Sequence, residues 1–242
     1  MRRAGACVAE VLEKTRAIIE PGLTTREIDQ FVGATIAALG AKSAFLGYRG
    51  FPGQACLSVN EEVVHGIGGS RRLQIGDIIK LDVGVIKDGW IGDTATTVPV
   101  GVVDREISKL LDVTQQSLYE GIAQAREGNR VGDISSAVEK YVVKQGFSVV
   151  REFVGHGVGA RLHEEPQVPN YGRAHTGPKL KAGMTLAIEP MVNIGRPEVR
   201  ILADGWTVVT TDGKGSAHFE HIVLITEGDP EILTCQKTTA SK

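Results

Sequence analysis

The sequence predicts an α+β protein made of two similar αβ halves that share one sheet, with helices outside. Three observations carry this. Two amphipathic helix pairs recur at an offset of 106 residues, two glycine–strand–carboxylate segments recur at an offset of 107, and one segment reads as a long β-hairpin. The halves are expected over roughly residues 3–100 and 105–230 of a single domain, 1–242, with a site between them.

The first helix is expected over residues 3–20, with Val8, Leu12, Ala17, Ile18 and Ile19 near one face. "PGLTTRE" stops it and starts the next. Thr24 or Thr25 can serve as N-cap, and Glu27 stands three after Thr24, as in a capping box. Ile28, Phe31, Val32, Thr35, Ile36 and Leu39 carry the second helix to Gly40. Residues 78–100 read as a hairpin around Asp88-Gly89, a strong two-residue turn signal. Residues 105–146 then repeat the pattern of helix, turn, helix and glycine. Gly22, Ile28, Val32, Ile36 and Gly40 fall on Gly128, Ile134, Val138, Val142 and Gly146, while Leu73, Gly76 and Asp82 fall on Leu180, Gly183 and Glu189.

Composition narrows the function. The net charge is −2 with no long run of one sign, which disfavours a nucleic-acid surface. Cys7, Cys56 and Cys235 are odd in number and far apart, so neither a disulfide framework nor a CxxC knuckle forms. No apolar run approaches the ~18 residues of a membrane helix. The start, "MRRAGACVAEVLEK", meets Glu10 too early for a secretory signal. A reducing cytoplasm is the expected home.

The hairpin turn sets a register. With Asp88-Gly89 as its loop, Lys87 faces Trp90, Val85 faces Gly92 and Gly84 faces Asp93. Asp82 shares the face of Gly84, so Asp82 and Asp93 are diagonal neighbours, roughly 7–8 Å apart at the backbone. Two such carboxylates can hold one cation, and Gly84 is expected to leave room for it. A lone strand aspartate is usually wet. Asp82, however, stands in a nearly continuous apolar run, which implies burial and hence a partner or a metal. Glu189 ends another apolar strand, and Glu220 opens a further one. Four carboxylates with an imidazole make an oxygen-rich site, suited to Mn(II), Fe(II) or Co(II), and their charge balances two divalent ions.

"GHGVGA", residues 155–160, also satisfies the dinucleotide pattern GxGxxA after the apolar stretch "FSVVREFV". That rival needs a helix at the glycines and an acid about 20 residues on. The continuation "RLHEEPQVPNYG" has two prolines and no helical period, and "AHTGPKLK" has no acid.

Asp82, Asp93, His156, Glu189 and Glu220, in "LDVG", "GDTA", "GHGVG", "IEP" and "FEH", resemble the ligand set of the pita-bread metallopeptidases. "VHGIG", "LHEEPQV", "GYRGFPGQAC" and "DGWTVVT" narrow the resemblance to the type I methionine aminopeptidase family, over nearly the whole chain. The resemblance implies a pita-bread fold, with pseudo-two-fold halves on a central, mostly antiparallel sheet. It implies one Co(II), Mn(II) or Fe(II) ion held by Asp82, Asp93 and Glu220. A second would be held by Asp93, His156, Glu189 and Glu220. A water activated between them would attack the scissile carbonyl, with Glu189 accepting its proton. His163 would stabilise the oxyanion, and His65 would contact the scissile amide. Tyr48, Phe51, Cys56 and Trp206 would line the methionine pocket. Leu162 stands where the family often has Phe, which keeps the wall apolar but alters its shape. Asn60, Glu62 and Ser216 fall where relatives hold a monovalent cation, Na⁺ or K⁺. His175, His218 and His221 match no catalytic position.

The expected activity is removal of the initiator methionine from nascent polypeptides when the second residue is small, by a monomer in transient contact with the ribosome. Met1 precedes bulky Arg2, so the chain is expected to keep its own methionine. A type II enzyme is disfavoured because no insertion of some 60 residues interrupts the second half. A prolidase-like dipeptidase and a non-catalytic binding module are the competing readings.

Overall fold

The protein is described here from a computed structural model covering residues 1–235. The first half runs α1 (Arg2–Ala17), α2 (Thr25–Ala38), β1 (Lys42–Ser43), β2 (Cys56–Val59), β3 (Glu62–Val64), β4 (Ile78–Lys87) and β5 (Trp90–Pro99). The second runs α3 (Arg105–Gln124), α4 (Val131–Lys144), β6 (Ser148–Val149), β7 (Gly155–Gly157), β8 (Glu164–Val168), β9 (Thr185–Ile188) and β10 (Met191–Asn193). It ends with β11 (Val199–Ile201), β12 (Val208–Thr210), β13 (Ser216–His218), β14 (His221–Leu224) and β15 (Glu231–Ile232).

The fold is pita-bread α+β, with every described strand pairing antiparallel. The sheet is divided into four hydrogen-bonded segments, and the bridge Ala95–Glu220 links the first half to the second. Side chains reinforce that seam. Thr94 Oγ1 donates to Glu220 O at 2.8 Å and Thr97 Oγ1 to His218 O at 2.8 Å. His218 N–H donates back to Thr97 Oγ1 at 2.9 Å.

Strand alternation sorts β4 into two faces. Ile79, Leu81, Val83 and Val85 pack with Val8, Val11, Ile28, Val32 and Ile36 of α1 and α2. Ile78, Lys80, Asp82 and Gly84 take the other face. The helices α3 and α4 cover the second half through Leu110, Leu118, Ile134, Val138 and Val142, against Leu186, Ile188 and Val223. The β4–β5 register is the one the turn predicts, with Lys87 on Trp90, Val85 on Gly92 and Gly84 on Asp93. Asp88 (φ 52°) and Gly89 (φ 79°) supply the two positive φ angles of a type I′ turn.

The helix pairs begin alike. Thr24 and Glu27 form the full capping box on α2. At α4 only half of one forms. Arg130 has no acceptor to offer, but its N–H donates to the Asp133 carboxylate at 2.8 Å. Ahead of them, Gly22 N–H donates to Leu73 O and Gly128 N–H to Leu180 O, at 2.8 and 3.1 Å.

Two expected boundaries shift. The first helix stops at Ala17, because Pro21 and Gly22 (φ 94°) need a non-helical approach. Of residues 147–154 only Ser148–Val149 form a strand, since Arg151 and Glu152 turn out to solvent.

Candidate metal centre

Three strand interiors and two strand ends aim five side chains into one cavity. Asp82 on β4 and Asp93 on β5 lie on the same face, two residues out of register. His156 on β7 has Ala187 of β9 as its cross-strand partner, Glu189 follows β9, and Glu220 sits between β13 and β14 at the seam. His156 Nε2 is 3.4 Å from Glu189 Oε1 and 4.0 Å from Asp93 Oδ2. Asp93, His156 and Glu220 each offer a ligand atom, all within 4.8 Å of one another. His156 Nδ1 lies 2.9 Å from Gly157 O, to which it can only donate. The proton is therefore on Nδ1, and the Nε2 lone pair faces the carboxylates.

Burial raises all four carboxyl pKa values well above the ordinary range. Their mutual repulsion adds to this: Glu189 acts on Asp82, Asp82 on Asp93, Asp93 on Glu189, and all three on Glu220. Asp82 Oδ1, Asp93 Oδ1 and Glu220 Oε1 are buried without a hydrogen-bond partner. Buried carboxylates in this state must be protonated or bound to cations. Oxygen-rich ligation with one imidazole fits divalent ions.

Gly84 does not open space for an ion. A Cβ there would meet the Phe45 ring at 2.4 Å, so the glycine admits an aromatic wall. Phe45 lines the same cavity, of about 310 Å³, as all five acidic and imidazole groups. Tyr48, Phe51, Cys56, His65, Leu162, His163 and Trp206 line it as well. Trp206 stands edge-on to Phe51, ring centroids 5.1 Å apart, and Leu162 is buried. Phe45, Phe153 and Met191 also line it without having been singled out in the sequence, because apolar residues in loops and strands leave no pattern of their own, and Arg49 is a further, charged lining residue.

His65 (φ 60°) holds a left-handed backbone conformation rare for a residue with a side chain, and its ring stands edge-on to Phe153. Burial lowers both His65 and His163 to about 4, so both are neutral near pH 7. Tyr48 Oη lies 2.8 Å from His163 Nδ1. A hydroxyl donating there fixes the proton on Nε2, the free nitrogen.

Three further histidines separate. His218 is buried, with its Nε2 3.6 Å from Glu189 Oε2 and neither ring nitrogen hydrogen-bonded. It is therefore a neighbour of the centre that sequence matching leaves unassigned. The signal was present, since His218 is two residues before Glu220 and alternation returns it to the same face. His221 turns away to Thr234 Oγ1 (2.9 Å), and His175 is an exposed partner of Asp133.

Asn60, Glu62 and Ser216 do come together. Ser216 N–H donates to Asn60 O at 3.1 Å, but Lys80 Nζ donates to the same oxygen at 2.6 Å. Burial lowers Lys80 to about 7, against the pull of Glu62 and Glu61.

Comparison with known proteins agrees with this geometry. The profile of metallopeptidase family M24 matches residues 1–227. Methionine aminopeptidase 1 of Bacillus subtilis is 54% identical over 234 residues, 97% of this chain and 94% of that one. The crystal structure of methionine aminopeptidase from Thermotoga maritima superposes with a TM-score of 0.95 at 46% identity, covering 97% of this chain and 95% of that one. The one from Rickettsia prowazekii also gives 0.95, at 40% identity, covering 96% of this chain and 94% of that one. With a family match over almost all its length and relatives this similar from end to end, the chain belongs to metallopeptidase family M24 and, within it, to the methionine aminopeptidases.

Proposed function

We propose that the protein removes the N-terminal methionine of newly made polypeptides when the second residue is small. In this reading Asp82, Asp93 and Glu220 hold one divalent ion, and Asp93, His156, Glu189 and Glu220 a second. The observation that carries it is the set of four carboxyl groups, Asp93 and Glu220 buried and Asp82 and Glu189 half-buried, and one imidazole lone pair in a single cavity, with three of the carboxyl oxygens buried and without a partner. When bound, Co(II), Mn(II) or Fe(II) ions polarise the scissile carbonyl and acidify an attacking water.

The chain's own residues do the rest. Glu189, its proton affinity raised by burial, accepts the water's proton and returns it to the leaving amine. His163, neutral and with its Nε2–H left free by Tyr48, donates to the developing oxyanion. Neutral His65 contacts the scissile amide. Tyr48, Phe51, Cys56, Leu162 and Trp206 enclose the methionine side chain. The substrate's free amine binds at Asp82, near the second ion, which restricts cleavage to the terminal residue.

The paired positions in the two helix pairs, and the matching backbone bonds from Gly22 and Gly128, support reading residues 3–100 and 105–230 as copies of one unit in a single domain. We place the protein in the cytoplasm as a monomer that meets its substrates at the ribosome. Assay of Met-Ala-Ser, Met-Arg-Ser and Ala-Pro with Mn(II) or Co(II) tests the reading. Rapid cleavage of the first alone is expected. Equal turnover of Met-Arg-Ser would remove the size preference, and cleavage of Ala-Pro alone would make the protein a dipeptidase.

A further inference from the structure

Lys80 is the largest fully buried side chain among the described residues, 1% exposed, on the strand that also carries Asp82. Its side chain leaves β4 on the face of Ile78, Asp82 and Gly84, opposite the apolar face under α1 and α2. A lysine is among the costliest residues to bury, and it is held here only by what its amine reaches.

What it reaches is the turn between β2 and β3. Lys80 Nζ donates to Asn60 O at 2.6 Å. The backbone at Asn60 is left-handed (φ 53°), which brings its carbonyl round to the lysine. Two side-chain bonds lock the turn: Asn60 Nδ2 donates to Asp77 Oδ1 at 2.8 Å, and Ile78 N–H donates to Asn60 Oδ1 at 2.9 Å. From the other half of the molecule, Ser216 N–H donates to the same Asn60 carbonyl at 3.1 Å. A carbonyl oxygen has two lone pairs, and both are now engaged. Glu62 and Glu61 add negative charge within electrostatic reach of the amine. The place resembles one built for a small cation: a turned-in carbonyl, nearby carboxylates and a convergence of three strands. The donor it contains, however, belongs to the chain.

We propose that the Lys80 amine is a tethered occupant of the monovalent-cation site, so that this protein neither binds nor needs Na⁺ or K⁺ there. The amine ties β4 to the β2–β3 turn at the carbonyl that Ser216 of β13 also bonds, and it cannot dissociate. The inference stands apart from the aminopeptidase reading, because its test reads stability rather than turnover.

Melting temperatures are compared in equal concentrations of sodium, potassium and N-methyl-D-glucamine chloride, for the wild type, Lys80→Ser and Lys80→Met. The wild type is expected to melt within about 1 °C in all three salts. Lys80→Ser, which vacates the space and leaves the oxygens, is expected to melt lower and to gain about 5 °C or more in sodium or potassium over N-methyl-D-glucamine, the size of shift a specific ligand gives a chain of this length. Lys80→Met, which fills the space with an apolar chain, is expected to show no such gain. A sodium- or potassium-specific rise in the wild type overturns the proposal, even if neither variant folds. So does a folded Lys80→Ser indifferent to the cation, or a Lys80→Met that responds as strongly as Lys80→Ser.

Discussion

His163 shows how much a single hydrogen bond decides. Its neutral form follows from burial, and the Tyr48 hydroxyl is the hydrogen-bond partner of its Nδ1. Tyr48→Phe keeps the ring and removes the donor. A hydrogen bond of this kind is worth about 0.5–1.5 kcal/mol. We expect kcat on Met-Ala-Ser to fall roughly 2- to 12-fold with KM little changed; a change in KM alone would make Tyr48 only a pocket wall. The carboxylates give a prediction in pH. Their folded pKa values are raised, so the metal-free folded protein binds more protons than the unfolded chain above the ordinary carboxylate range. Its stability from these groups is therefore lost as pH rises through the raised values. His65 and His163 act in the opposite sense: lowered to about 4, they make stability fall as pH drops from about 6.5 toward 4. Mn(II) competes with protons for these raised carboxyls. Titration calorimetry in buffers of different ionisation enthalpy should register net proton release, and none would mean that the carboxylates are already ionised. Most of this chemistry was legible in the sequence, because Asp and Glu in strand positions that favour valine call for an explanation. His218 was less so: what makes it significant is its distance from Glu189, which spacing alone does not give.

The β4–β5 hairpin turns local chemistry into a site. Asp88-Gly89 fixes the register, the register places Asp82 and Asp93 on one face, and both features could be read before any coordinates. The purpose of Gly84 could not. It accommodates Phe45 from a segment some forty residues earlier, and no local pattern announces a contact at that separation. Gly84→Ala should therefore act by overpacking. It is expected to cost about 1–3 kcal/mol, roughly 2–4 °C of melting temperature per kcal/mol, and to raise KM by pushing Phe45 into the cavity. An unchanged melting temperature and KM would show that the ring yields freely. The same reasoning explains the short β6. Its residues look apolar enough for a longer strand, but Arg151 and Glu152 turn outward and end the pairing after Val149.

The two halves meet at the metal centre, with Asp82 and Asp93 from the first and His156, Glu189 and Glu220 from the second. Ions bound there hold the halves together, so stability should follow metal occupancy. Binding at a hundred times Kd adds about 2.7 kcal/mol, roughly 5–11 °C for a chain of this length. That rise on adding Mn(II) is expected for the wild type and should be mostly absent in Asp93→Asn. The same substitution should lower turnover by more than about 100-fold, beyond what loss of an outer partner costs. A full thermal response in Asp93→Asn would place the ions elsewhere. Glycine and apolar positions at a constant offset are what the reading of paired halves rests on, whereas the division of the sheet into segments depends on long-range pairing that the offsets do not encode. The threonine bonds across the seam have one more consequence. Thr94 and Thr97 fasten β5 to the carbonyls of Glu220 and His218, so the strand that carries Asp93 and the segment that carries Glu220 are tied together beside those two carboxylates.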